Sequence, residues 1–263
     1  MNKRDNRSVD ARGIRGAWAD FQRLWSGEPS AALAPFVERY WAVTWDLRGQ
    51  EPYQQRITPY PNVHLTWVDD AEPAVHGVPR RHVVRHLAGL GHVFGVAFRP
   101  GGFQPWLGRP VSTLTGHTTT ARDLFGEEVP RHRREPEAMR AAVEAFLITH
   151  RPDDDPTAEL ANELVARIAA EPDLARVDLL AERTGLGMRR LQRIFADYVG
   201  VPPKWVIRRY RLREVTARLE QGGEIDWARL AVELGYADQA HLTRDFTAMY
   251  GEPPTRHALR YPG

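Results

Sequence analysis

Two sets of polar side chains have the types and the spacing to do chemistry on a nucleic acid. Arg189, Gln192 and Arg193 lie at i, i+3 and i+4, and Gln239, Thr243 and Arg244 lie close together 51 residues further on. On a helix, such spacings gather each set on one side. Arginine can bond bidentately to guanine O6 and N7, glutamine to adenine N6 and N7, and a threonine methyl can touch thymine. Each good bidentate pair discriminates between bases by about 1–3 kcal/mol. These side chains suit the reading of base edges in a major groove.

The elements that must hold them are written twice in the chain. Leu191-Gln-Arg193-Ile-Phe195 followed by Gly200-Val-Pro202-Pro203 recurs 51 residues later as Leu242-Thr-Arg244-Asp-Phe246 followed by Gly251-Glu-Pro253-Pro254. Upstream of each copy is a short apolar helix closed by glycine: Leu179 to Gly185 and Leu230 to Gly235. A glycine that ends one helix just before another begins suits a helix-turn-helix, because it takes the left-handed conformation without a steric penalty. Gly187 and Asp238 are the expected N-caps of the second helices, Asp being the better one. Leu191, Phe195 and Tyr198 in the first copy, and Leu242, Phe246 and Met249 in the second, form the inner stripes.

Between the copies, Pro203 to Gln221 reads as one long helix, with proline at its start and Gly222-Gly223 past its end. About 18 residues at 1.5 Å each span roughly 27 Å, close to the ~34 Å between successive major grooves on one face of B-DNA. Residues 189–218 hold nine basic side chains against Asp197 and Glu214, a net of +7, whereas residues 1–170 hold 21 basic and 21 acidic ones. Arg208, Arg209, Arg211 and Arg213 of the long helix read either as phosphate contacts or as a solvated linker surface.

Residues 163–261 resemble the AraC/XylS-type transcriptional regulators. The pieces that carry the likeness are Leu191-Gln-Arg-Ile-Phe with Gly200-Val-Pro-Pro, Arg211-Leu-Arg, and Leu234-Gly-Tyr-Ala-Asp-Gln-Ala-His-Leu-Thr-Arg-Asp-Phe with Gly251-Glu-Pro-Pro. The resemblance implies an all-helical domain of two helix-turn-helix units joined by a long helix, and double-stranded DNA as the partner. It also puts Arg189, Gln192, Arg193, Gln239, Thr243 and Arg244 on the base-facing positions. Two departures stand out: Gly187 where that family often has a serine cap, and Ala240 where a polar residue is usual. Alkyl-transfer repair relatives of the domain need cysteine, and this chain has none.

The first ~110 residues read as short strands, Phe36–Leu47, Tyr53–Thr58, Asn62–Val68, His82–Leu87 and His92–Phe98, separated by proline and glycine breakers. Six of the eight tryptophans (Trp18, Trp25, Trp41, Trp45, Trp67 and Trp106) fall here, enough for an aromatic core or a pocket wall. Leu33-Ala-Pro-Phe-Val-Glu-Arg-Tyr-Trp41, Pro61-Asn-Val-His-Leu-Thr-Trp67 and Gly95-Val-Ala-Phe-Arg-Pro-Gly-Gly102 make this part similar to a poorly characterised domain often placed ahead of such a DNA-binding module. By that resemblance it senses a small-molecule effector or supports a homodimer, but its residues announce no ligand. Helical periodicity starts at Pro136–Ile148, and the His150–Pro156 stretch, with two prolines and an acidic triplet, reads as a boundary before a helix at Ala158–Ala169.

The fold class expected is therefore α+β: a β-rich regulatory domain at 1–150, a linker at 151–162, and an all-α double helix-turn-helix domain at 163–263. Without cysteine, disulfides, thiolate zinc sites and thiol nucleophiles are out. Neither of the two lysines follows a phosphate-binding loop, and none of the four serines lies in Gly-x-Ser-x-Gly, so no enzyme activity and no cofactor are expected. His82 and His86 fall on a strand, where i and i+4 diverge by about 13 Å, so no metal site is expected. Arg99-Pro-Gly-Gly102 reads as a turn in preference to an anion site. No apolar run reaches the ~20 residues of a membrane span, and the opening MNKRDNRSVDARG lacks a signal-peptide core, so a cytoplasmic protein, nucleoid-associated when on DNA, is expected. The reading is of a sequence-specific transcription regulator. The alternative is a ligand-binding protein whose helical module serves as a protein-interaction surface.

Overall fold

The computed structural model describes residues 21–221 and 225–259. Trp18 and the Gly222-Gly223 pair expected past the long helix lie outside them. A β-rich region is followed by a helical one. Six strands, β1 (Gln22–Gly27), β2 (Val37–Leu47), β4 (His64–Val68), β5 (Ala74–His76), β7 (Gly89–Phe98) and β8 (Thr118–Thr120), form an antiparallel sheet in the order β1-β2-β7-β4-β5-β8. The other two strands, β3 (Tyr53–Ile57) and β6 (Val83–Leu87), pair as a separate ribbon.

Alternation along β2 and β7 gives the sheet two faces. Tyr40 and Ala42 join Leu65, Trp67, Phe94, Val96 and Phe98 in the main β-side core. Helix α3 (Pro136–Thr149) follows α1 (Gln104–Leu107) and α2 (Arg122–Phe125) and closes that core with Met139, Val143, Phe146 and Leu147. On the other face, the rings of Trp45 and Trp41 lie across Gly91 and Gly95, where a Cβ would come within 2.1 and 2.3 Å of them. The aromatic supply is thus spent largely on packing, with Trp67 fully buried. The ribbon's Tyr53 and Leu87 pack with Val43, Trp45, Leu47 and Val93.

The helical region comprises α4 (Pro156–Ala170), α5 (Val177–Thr184), α6 (Met188–Ile194), a π-helical turn (Phe195–Val199), α7 (Pro203–Glu220), α8 (Trp227–Glu233), α9 (Gln239–Tyr250) and α10 (Pro254–Ala258). Its core takes Leu191, Ile194, Phe195, Leu212, Val215, Leu242, Phe246 and Met249, and also Val78 from the β-rich part. The segment expected as a linker, 151–162, divides: 151–155 is irregular, while Asp155 caps α4, its side chain accepting from the Thr157 N–H, so that Ala158 and Ala161 are already core residues. The proline at position 156 supplies the pre-set first helical turn, which moves the helix start ahead of Ala158.

Candidate nucleic-acid interface

Each unit is built by the same local chemistry. Helix α5 ends at Gly185 (φ 64°), and the chain passes from α8 to α9 through Gly235 (φ 69°). A left-handed residue at these points turns the chain sharply into the second helix. Asp238 caps α9 by accepting from the His241 N–H at 2.7 Å. Gly187 holds the same place before α6 with extended backbone (φ −65°, ψ 146°) but has no side chain to offer the free N–H groups.

On α6, Leu191 and Ile194 are buried while Arg189, Arg190, Gln192 and Arg193 are exposed; on α9, Leu242, Phe246 and Met249 are buried while Gln239 and Arg244 are exposed and Thr243 is half-buried. Among the described residues, Arg189, Arg190, Arg193 and Arg244 are held in no ion pair or hydrogen bond, whereas Arg167, Arg176, Arg183, Arg218 and Arg229 are tied to carboxylates. Arg190 was absent from the candidate set, although it sits in the same basic window. The inner stripe of the first unit also differs from a plain helix: Phe195 opens the π turn and Tyr198, half-buried, donates its hydroxyl proton to Asp155 at 2.7 Å.

The connecting helix corrects one reading. Of Arg208, Arg209, Arg211 and Arg213, only Arg213 is exposed. Arg208 pairs with Asp245 of α9 at 3.1 Å, and Arg211 donates to the Ala175 carbonyl and lies over the Tyr236 ring. Arg209 is 1% exposed: its Nε donates to the Pro59 carbonyl at 2.6 Å and its guanidinium lies 4.1 Å from the centre of the Tyr60 ring. These three arginines face protein, because the helix they sit on is packed on several sides and each finds a carbonyl, carboxylate or ring there.

The β-rich part touches both units. Thr115 donates to the Gly200 carbonyl at the end of the π turn, and Trp205 donates its indole N–H to the Arg80 carbonyl at 3.1 Å. The His82 ring meets the Ala248 carbonyl, and Arg56 pairs with the buried Glu252 at 2.8 Å. Glu252 also faces His257 at 2.9 Å.

Elsewhere, two polar groups of the β-rich part have structural roles. His76 uses both ring nitrogens on Thr66 and Thr118, and its pKa is pushed down to about 4 by burial, with Arg85 adding to the effect. Arg99 donates to the Ala34 carbonyl, and Gly102 to the Arg99 carbonyl, forming a turn. A groove of about 430 Å³ lies between α4 and α5, lined by Leu160, Arg167, Arg183 and Leu186, away from the tryptophans.

Residues 180–260 match the model of a helix-turn-helix domain. This segment is an AraC-type helix-turn-helix domain. Residues 27–120 match a domain of unknown function, DUF6597, so the AraC-type domain stands behind a second, separately defined domain. No curated protein matches the chain. Among solved structures, an apo variant of ToxT from Vibrio cholerae shares 11% identity, covering 85% of this chain and 98% of that one, with a TM-score of 0.43. ToxT bound to an unsaturated fatty acid shares 9% identity, covering 92% and 95%, with a TM-score of 0.41. No helix among the described residues is long and apolar enough to cross a membrane.

Proposed function

We propose that the protein is a sequence-specific DNA-binding transcription regulator in which the starts of α6 and α9 enter adjacent major grooves. Arg189, Gln192 and Arg193 read one groove and Gln239, Thr243 and Arg244 the other. The observation that carries this reading is the unpartnered state of Arg189, Arg193 and Arg244 at the exposed faces of two repeated units, in a protein that ties many of its other arginines to carboxylates. An exposed cation with no internal partner is free for a base edge or phosphate. Helix α7, 18 residues and so about 27 Å long, supplies the rigid spacer between the readers. The β-rich part is the regulatory region: it holds α7 at Arg209 and the end of the first unit at Gly200, so a small molecule that shifts it shifts the readers.

The test is operator selection from random duplexes, followed by competition binding at fixed salt. Arg193→Ala and Arg244→Ala are each expected to weaken specific binding by about 1–3 kcal/mol, or about 5- to 150-fold, and to relax preference at their own positions only. Full retention of operator affinity by both variants overturns the readout.

A further inference from the structure

Residues 73–122, with six arginines, and residues 198–213, with Lys204 and four arginines, contain no aspartate or glutamate. The fold brings them together. The 77–81 loop and the 109–117 segment are joined through Gly77 N–H to the His117 carbonyl and Gly116 N–H to the Val78 carbonyl, both at 3.0 Å. Both then rest on the chain leaving the first reading helix: Val111 against Gly200, and the Arg80 carbonyl on the Trp205 indole. Arg80, Arg81 and Arg109 are exposed around this junction, as is Lys204 at the start of α7. None of these four side chains has an ion-pair or hydrogen-bond partner among the described residues.

We propose that Arg80, Arg81 and Arg109 form a second phosphate-contacting surface, carried by the β-rich part and adjoining the chain that leaves the first reading helix. The partner is the sugar-phosphate backbone of a DNA duplex. Cationic segments without acids that rest on Gly200 and Trp205, just past the reading helix, meet the same polyanion the helix meets, and Lys204, exposed beside Trp205, adds a further cation there. The surface adds affinity and salt dependence without adding sequence preference. It rests on the DNA-binding reading above.

Each phosphate neutralised contributes about 0.9 to the slope of log affinity against log salt. In the full chain, R80A/R81A/R109A is therefore expected to flatten that slope by about 2.7, so that raising salt from 50 to 200 mM costs about 40-fold less affinity than in the unaltered protein. The ratio of operator to scrambled-duplex affinity stays unchanged. R80K/R81K/R109K keeps the steep slope, because a phosphate responds to charge and not to the guanidinium fork. R131A/R133A, on the loop whose Pro130 carbonyl is held by Trp67, serves as the charge control and leaves the slope within about 0.5. If the unaltered protein shows salt-dependent duplex binding and the alanine triple keeps its full slope, the second surface is refuted and the readers stand. If the unaltered protein binds no duplex at any salt, the DNA-binding reading itself falls.

Discussion

Replacing Arg209 tests how the two parts of the molecule are joined. Its guanidinium is fully enclosed, donates to the Pro59 carbonyl at 2.6 Å, and lies over Tyr60 at 4.1 Å and Tyr250 at 5.7 Å. A hydrogen bond from a charged group contributes about 1.5–3 kcal/mol and a desolvated cation–ring contact about 2. Against these stands the several kcal/mol that removing a cation from water costs. The terms nearly cancel, so deleting the charge by itself moves stability little. What the deletion leaves behind is not cancelled. The Pro59 carbonyl loses its partner, at about 1–3 kcal/mol, and truncation to alanine opens a cavity at about 2–5 more. Arg209→Met fills most of the space and is expected to destabilise by about 1–3 kcal/mol, while Arg209→Ala destabilises by about 3–8. Urea unfolding of the full chain, followed by tryptophan fluorescence, measures both. A loss below about 1 kcal/mol for the alanine variant, or a methionine variant no better than alanine, contradicts the enclosed geometry. Since the carbonyl and the ring belong to the β-rich part, the alanine variant is also expected to unfold in two steps.

Two further outcomes follow from local geometry. Asp238→Ala removes the cap of α9 and is expected to cost about 1 kcal/mol, while Gly187→Ser, at an extended position with nothing within 4 Å of a new Cβ, gains a few tenths, both read from thermal or urea midpoints. His76 has a native pKa near 4 against about 6.5 when unfolded, so between those values the unfolded chain takes up a proton that the native state refuses. Stability therefore falls as pH drops through that window, by up to about 3 kcal/mol. His76→Gln, which can still bond Thr66 and Thr118, is expected to flatten the profile.

Much of this architecture is legible in the residues alone, for physical reasons. The breakers isolate β2, β3, β4, β6 and β7, and the repeat isolates two helix pairs because packing stripes and turn glycines must recur when a unit recurs. Strands β1, β5 and β8 leave no such mark: two are three residues long, too short to alternate, and Gln22–Gly27 pairs along one edge only. Arg209 is illegible for a different reason. Its burial is decided by a carbonyl 150 positions away, and a charged residue on a helix otherwise reads as solvated. The acid-free stretch at 73–122 does not show in the overall charge of residues 1–170, where 21 acidic side chains offset 21 basic ones. In the candidate interface, spacing separated outward from inward side chains on α6 and α9, yet neighbour packing alone decides which arginines of α7 stay wet.

The π turn at Phe195–Val199 has a consequence for symmetry. In the second unit the corresponding residues continue as ordinary α-helix to Tyr250, so the chain leaves its two reading helices on different headings despite identical spacing in sequence. The units also differ at their entrance, where the second has one more residue between turn glycine and N-cap than the first. Duplicated in sequence, the halves are thus not interchangeable in space, and on the proposed DNA-binding reading a single copy of this chain is expected to prefer a polar, directional target over an inverted repeat.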